Sequence, residues 1–437
     1  MEIILKPNNE NMTCVIQKAI DDCFLQGGGK IVLEAGEYVI GGIRLRSNCT
    51  LYLKSGAVLK GVREIEAYDI LSSDRIEPLG VQYQTDMLWT PPHARKTFDH
   101  MSKAGSRWNN ALIRILCAKN VRIIAEKGAV IDGSDPYDAL GEENYRGPHG
   151  IAYHHSCNLH FEGYLIKNTG NWSHIGYQSQ NITYKNIVVQ GGHDGIHNSS
   201  CDNYLIEDCE FYTGDDCVAG FDNYNVTVRN CVLNSACSGM RFGGADILVE
   251  NCRFYGPAEF VFRGALPLAD KIAGTPSPRK GGRMLALFTY YSDFSLNVRR
   301  LPKNIVVRNC TVENCERFLH FDFTGTHTWQ KNKPLVEITF ENIKASGIGL
   351  PFNAYGSAEN PLTLRVKDCE ISFSRKSDCA IRSGNFALIQ VENVQFENVS
   401  DALVKGYGGE GEIVSKNVKG VSRLLNKVQE KFESANI

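Results

Sequence analysis

The chain has 437 residues, is 43% hydrophobic and 22% charged, and carries a formal net charge of −2. That composition suits an ordinary soluble globular protein, and the near-neutral charge leaves no whole-molecule field to gather nucleic acid or an anionic membrane. The opening MEIILKPNNE has neither an apolar signal core nor a small-residue cleavage site, and no apolar run reaches the ~18 residues of a membrane span, so a cytoplasmic location is expected.

The first element is a helix over 13–25, TCVIQKAIDDCFL, where Ile16, Ala19, Ile20, Cys23 and Phe24 recur at helical spacing. Gly27-Gly28-Gly29 stops it. These glycines follow a helix instead of opening one after a strand, which argues against a phosphate loop. Residues 76–108 come next, with Trp89, Pro91, Pro92, His93, Arg95, His100 and Trp108 on no clear period. Long loops on a regular scaffold usually line its working face, so this stretch is read as a cleft wall.

A repeat then dominates. It reads NLHFEG from Asn158, NITYKN from Asn181, NYLIED from Asn203, NVTVRN from Asn225 and DILVEN from Asp246, with later copies NIVVRN, EITFEN, TLRVKD and LIQVEN. Central copies start about 22 residues apart, and each alternates with the period of two that a half-buried strand requires. No room is left for a crossover helix of ~10–15 residues between strands. One rung cannot bury its own apolar face, but stacked rungs can. Residues 264–284, rich in Gly, Pro and basic side chains, break the repeat and are read as a second cleft wall and a lid. Val421, Leu424, Leu425, Val428 and Phe432 then suggest an amphipathic helix in a tail of about 420–437, covering the last rung or pairing with another subunit of a homo-oligomer.

The expected fold is therefore all-β: one single-stranded right-handed parallel β-helix over 1–437, with an N-terminal helical cap within 1–30 and a short C-terminal helix. An open solenoid end exposes strand edges and needs such covers. The fifteen cysteines follow neither a disulfide framework nor a zinc pattern. Cys209, Cys231, Cys252, Cys310 and Cys369 end successive apolar stretches and are read as a stack of small core side chains.

The chemistry lies in one acidic constellation. Asp194 and Asp216 are one repeat apart, and neighbouring parallel strands lie about 4.8 Å apart, so their carboxylates are expected one above the other. Asp215 adjoins them in the turn Gly214-Asp215-Asp216. Three like charges this close favour retention of a proton near neutral pH. A protonated carboxyl beside an ionised one is what glycoside hydrolysis needs. An isolated Asp-Asp is usually only a solvated turn, and clustered carboxylates also ligate Ca²⁺, which would favour a lyase. The third aspartate one rung away favours catalysis, and neither a metal nor a cofactor is expected.

The stretch HDGIHNSSCDNYLIEDCEFYTGDDCVAGFDN, residues 193–223, resembles the core signature of glycoside hydrolase family 28, the polygalacturonase family. That family reads Asn-Thr-Asp, then Gly-Asp-Asp, Gly-His-Gly and Arg-Ile-Lys. The likeness extends to residues 19–61, 128–136 and 146–178. It implies Asp215 as general acid, with Asp194 and Asp216 sharing the attacking water and inverting the anomeric centre. Carboxyls ~5 Å apart would ordinarily suggest retention, but the family divides its base between two aspartates.

Departures bear on the substrate. Gly192-His193 stands for Asn-Thr, Ser238 takes the place of the family His, and Arg263 alone survives from Arg-Ile-Lys. A neutral sugar or a differently placed uronate is therefore expected. Candidate sugar contacts are His174, His193, His197, Arg146, His149, Arg241 and Arg263. Trp172 and Tyr177 are candidates for stacking on a pyranose, against the commoner role of core packing. The leading reading is a glycosidase acting on pectin-type oligosaccharides (galacturonide, galactoside or rhamnoside), without nucleic-acid or membrane partners. A lyase or epimerase on the same scaffold and a non-catalytic glycan-binding β-helix are the alternatives.

Overall fold

The structure is a computed structural model that describes residues 1–8, 10–68, 110–274, 281–292, 298–327, 329–409 and 411–429. The cleft wall expected at 76–108, residues 275–280 of the second wall and the tail beyond 429 lie outside the described residues.

Among the described residues nearly all regular structure is parallel strand, joined rung to rung by short turns. The fold is a single-stranded right-handed parallel β-helix, the hand that connections between parallel strands almost always take. Contacts concentrate in two units: Met1–Asp215 with Phe260–Arg279, and Asp216–Glu259 with Lys280–Ile437.

The first unit stacks three columns of inward side chains. Ile31, Leu51, Ile123, Phe161, Tyr184 and Ile206 pair in register along one sheet, and all are buried. Tyr38, Leu59, Ile131, Ile166, Val189 and Phe211 form the second. Ile43, Ile113, Ile151, His174 and Ile196 form the third. Each buried aliphatic or aromatic side chain contributes about 1.5–3 kcal/mol. The helix Thr13–Leu25 presses Ile16, Ala19, Ile20 and Cys23 onto the first rungs and ends before Gly27, whose φ is +86°.

The second unit repeats the plan. Val228, Val249, Val307, Phe340, Val366 and Val391 pair in one column. Leu233, Phe254, Val312, Ala345, Ile371 and Phe396 pair in another.

The Asn or Asp that opens most repeats has a physical cause. Asn158, Asn181, Asn203, Asn225, Asp246 and Asn304 all hold φ between +53° and +55°, a left-handed corner that Asn and Asp tolerate best after Gly. Their amides also ladder: Asn158 donates to Asn120 at 3.0 Å and Asn181 to Asn158 at 3.1 Å. None of the fifteen cysteines is in a disulfide. Cys231, Cys252, Cys310 and Cys369 are buried, and each thiol donates to the carbonyl two residues back at 3.0–3.2 Å.

The C-terminal helix is a correction. Arg423–Lys427 is a strand, with Leu425 opposite Val404 and Leu424 exposed. Five residues suit either period, and the open edge of Phe386–Gly406 offers a ladder of hydrogen bonds that a free helix would forgo.

Candidate active site

In the first unit, the strand Ile196–Ser199 turns Ile196 and Asn198 inward, where Asn198 bonds the hydroxyls of Tyr153 and Tyr184. Alternation therefore points His197 outward. Asp194 sits in the bend before this strand. Asp215 follows Gly214 at the end of Glu210–Thr213. Gly191 pairs with Thr213, an offset of 22 (213 − 191), which from Asp194 leads to position 216. Gly214 is obligatory: a Cβ there would meet the Val261 carbonyl oxygen at 2.0 Å. The segment Val261–Arg263 thus packs directly on the acidic turn.

Carboxylate oxygens of Asp194 and Asp215 lie within 4.8 Å of each other, and the same bound holds for the consecutive pair Asp215 and Asp216. Each acid meets a donor. His197 Nδ1 stands 2.8 Å from Asp194 Oδ2, and Trp172 stacks flat on its imidazole at 3.8 Å and 4°. Arg146 is buried and reaches Asp215 Oδ2 at 3.6 Å. The same guanidinium contacts Glu143 at 3.1 Å, Glu142 at 3.4 Å and Asn171 Oδ1 at 3.1 Å. Burial pushes Glu142 up to about 7; Arg146 opposes this, while Glu143, Asp194 and Asp215 add to it. In the second unit, Asp216 accepts the Ser238 N–H at 2.8 Å and lies 3.6 Å from Arg241. Arg241 is held over the rings of Tyr291 at 4.5 Å and Trp329 at 4.4 Å.

Carboxylates so grouped could also hold a cation. Here Asp215 and Asp216 each already face an arginine of the protein, and Asp194 faces His197. The arrangement is better suited to proton transfer.

A family model, glycosyl hydrolases family 28, matches residues 93–244, a span that holds all three aspartates. A probable polygalacturonase of Vitis vinifera is 28% identical over 213 residues, which is 46% of this chain and only 39% of the grapevine protein. Among solved structures, a family 28 exopolygalacturonase of Yersinia enterocolitica superposes with a TM-score of 0.56 at 15% identity, covering 98% of this chain and 78% of that one. A hyperthermoactive exopolygalacturonase of Thermotoga maritima gives 0.55 at 15% identity, covering 98% and 92%. At such identity these two speak for the fold alone. Over residues 93–244 the chain is similar to glycoside hydrolase family 28.

Within this chain the sugar-contact candidates part company. His197, Arg146 and Arg241 stand at the carboxylates. His174 points inward instead, its Nε2 2.8 Å from the Tyr164 hydroxyl, and burial pushes it down to about 3. His193 is buried, 2.8 Å from Arg146 and stacked on Tyr145, and burial followed by the charges of Arg146 and Arg263 pushes it well down. It therefore supports Arg146 as a neutral ring. His149 is buried beside Trp172 at 5.6 Å. Arg263, the remnant of the family's cation pair, is buried in an ion pair with Asp135 and donates to the Lys271 carbonyl at 2.7 Å. That commits it to anchoring the segment after it, including the short helix Leu268–Ala273. Tyr177, the second stacking candidate, packs in an apolar cluster with Ala111, Ala152 and Ile175.

Sequence reasoning missed Glu142, Glu143, Asn171, Asp135, Tyr291 and Trp329. The acidic pair three and four residues before Arg146 was a usable signal. Nothing local marked Trp329 or Tyr291, which are distant in sequence from Arg241.

Proposed function

We propose that this chain hydrolyses α-glycosidic bonds of pectin-type oligosaccharides, with inversion. The observation that carries the reading is the pair of carboxylates of Asp194 and Asp215 within 4.8 Å, each matched to its own donor, bordered by the Trp172–His197 stack and followed in the chain by Asp216. In this reading Asp215 gives its proton to the glycosidic oxygen as the bond to the anomeric carbon breaks. Asp194 and Asp216 hold a water on the other face and take its proton as the new C–O bond forms. Two carboxylates thus begin ionised and one protonated, and solvent restores that state after each turnover. Arg146 beside Asp215 moderates the charge left on the spent acid.

Commitment of Arg263 to Asp135 supports a substrate whose carboxylate, if present, is not held in the family's usual way. Galacturonide, galactoside and rhamnoside oligosaccharides are the candidates. The test is the native protein and Asp215→Asn against that panel, with released sugar and its anomer followed by NMR. Loss of about 10²–10⁴ in rate with the fold retained is expected. Equal turnover by the variant, or first release of the retained anomer, would overturn the assignment.

A further inference from the structure

On the outward face of the second unit a column of polar side chains runs on from Arg241, and beyond Arg241 the catalytic reading makes no use of it. Arg241 pairs with Thr289, Thr289 with His320, His320 with Asn353, and Asn353 with Arg382, one rung at a time. Leu319 and Phe321 flank His320 on its strand and are fully buried, so alternation turns His320 away from the core. Arg317 stands close to this column, since its guanidinium reaches the carbonyl of Pro351, two residues before Asn353, and its charge is felt at His320.

These side chains are buried yet unsatisfied. Arg317, His320 and Asn353 are 1%, 2% and 1% exposed. Among the described residues, Arg317 Nε, both ring nitrogens of His320 and Asn353 Nδ2 have no hydrogen-bond partner. The Arg317 side chain makes one bond, from Nη1 to the Pro351 carbonyl at 3.3 Å, and no ion pair. Its neighbour Glu316 is engaged by Arg283 at 3.7 Å and Arg375 at 3.5 Å. Burial, then the charge of Arg382, pushes Arg317 down to about 10. Asp322 lies two residues after His320 and accepts the Thr324 N–H at 3.0 Å, and Asp378 lies close enough to feel the charge of Arg382. Leaving a buried cation uncompensated costs several kcal/mol, and clustered orphan donors mark a missing acceptor.

We propose that Arg317, His320, Asn353 and Arg382 form an oxyanion site for the carboxylate of a uronic acid residue. Half-buried Arg382 is its mouth. The guanidiniums supply the charge, while Asn353 Nδ2 and a ring N–H of His320 supply directed donors. The uronic acid part rests on the glycosidase reading, whereas the oxyanion chemistry does not.

The test uses Asp215→Asn protein, so that no ligand is consumed, titrated calorimetrically with galacturonic acid, galactose and sodium sulfate. Galacturonate is expected to bind and galactose not to bind at this site. Arg382→Gln and, separately, Asn353→Ala should weaken galacturonate about tenfold or more, the loss of a hydrogen bond to a charged group. Arg317 is left intact here so that the buried charge is the same in every protein compared. Unchanged galacturonate affinity in both variants overturns the proposal, as does Arg382-dependent binding of sulfate without galacturonate. If no sugar in the panel is hydrolysed but galacturonate binding depends on Arg382, the catalytic reading fails and this one stands. If hydrolysis is found and Arg382→Gln binds as its parent does, this proposal alone fails.

Discussion

The outward faces of the two units treat buried charge in opposite ways. On the first, each acidic or basic group has a partner: Asp194 meets His197, Asp215 meets Arg146, Arg146 meets Glu142 and Glu143, and Arg263 meets Asp135. On the second, Arg317 is buried without a carboxylate, beside a histidine and an asparagine with idle donors. A closed network holds its groups fixed before substrate arrives, which is what electrostatic catalysis asks of a site. An open one stores a need that a ligand can meet. On the two proposals above, the difference separates a place built for proton transfer from a place built to hold an anion.

The largest effect should come from opening the closed network at its reacting end. Asp194→Asn keeps the shape of the side chain but removes a base, and turnover of a cleaved oligosaccharide should fall about 10²–10⁴-fold. The thermal midpoint should hardly change. Comparable turnover in the variant would mean that the acids beside His197 are structural, and the contrast between the faces would lose its chemical meaning.

Next in size is a pair of stability measurements. Asp135→Ala strands Arg263 in the interior and should cost about 3–5 kcal/mol, read from the denaturant midpoint. Arg317→Met removes a cation that has no partner to strand, so in ligand-free buffer it should be neutral or stabilising. Equal destabilisation by both would show that Arg317 has a compensating partner after all.

The sequence made the repeat legible because burial on one strand face forces a period of two, and because left-handed corners select Asn or Asp at the same place in each rung. The helix Thr13–Leu25 was legible for a similar reason, since its buried stripe and terminal glycines are local features. The tail was not: over Arg423–Lys427 the two periods cannot be told apart, and an open strand edge decided the outcome. Asp194, Asp215 and Asp216 stood out through spacing alone. The fates of His174 and Arg263 did not, because inward or outward direction and the choice of Asp135 as partner depend on register across rungs. The column from Thr289 to Arg382 was hidden for the same reason, its members being tens of residues apart.

The smallest expected effect concerns how tightly the first unit's network is closed. Glu142 is raised to about 7 chiefly by burial, with Glu143, Asp194 and Asp215 adding to it against Arg146. The folded form therefore keeps a proton that the unfolded chain, near its ordinary 4.5, has already released. Where the folded state binds more protons, stability falls as pH rises. This contribution is intact below about 4.5, declines through the interval up to about 7, and is constant above it. Glu142→Gln, neutral throughout, should flatten that part of the stability profile and leave the variant relatively more stable at pH 8 than at pH 4. The measurement is denaturant unfolding across that range for both proteins. Parallel profiles would show that Glu142 titrates normally in the fold, and that as an ionised carboxylate it shares the charge of Arg146 with Asp215.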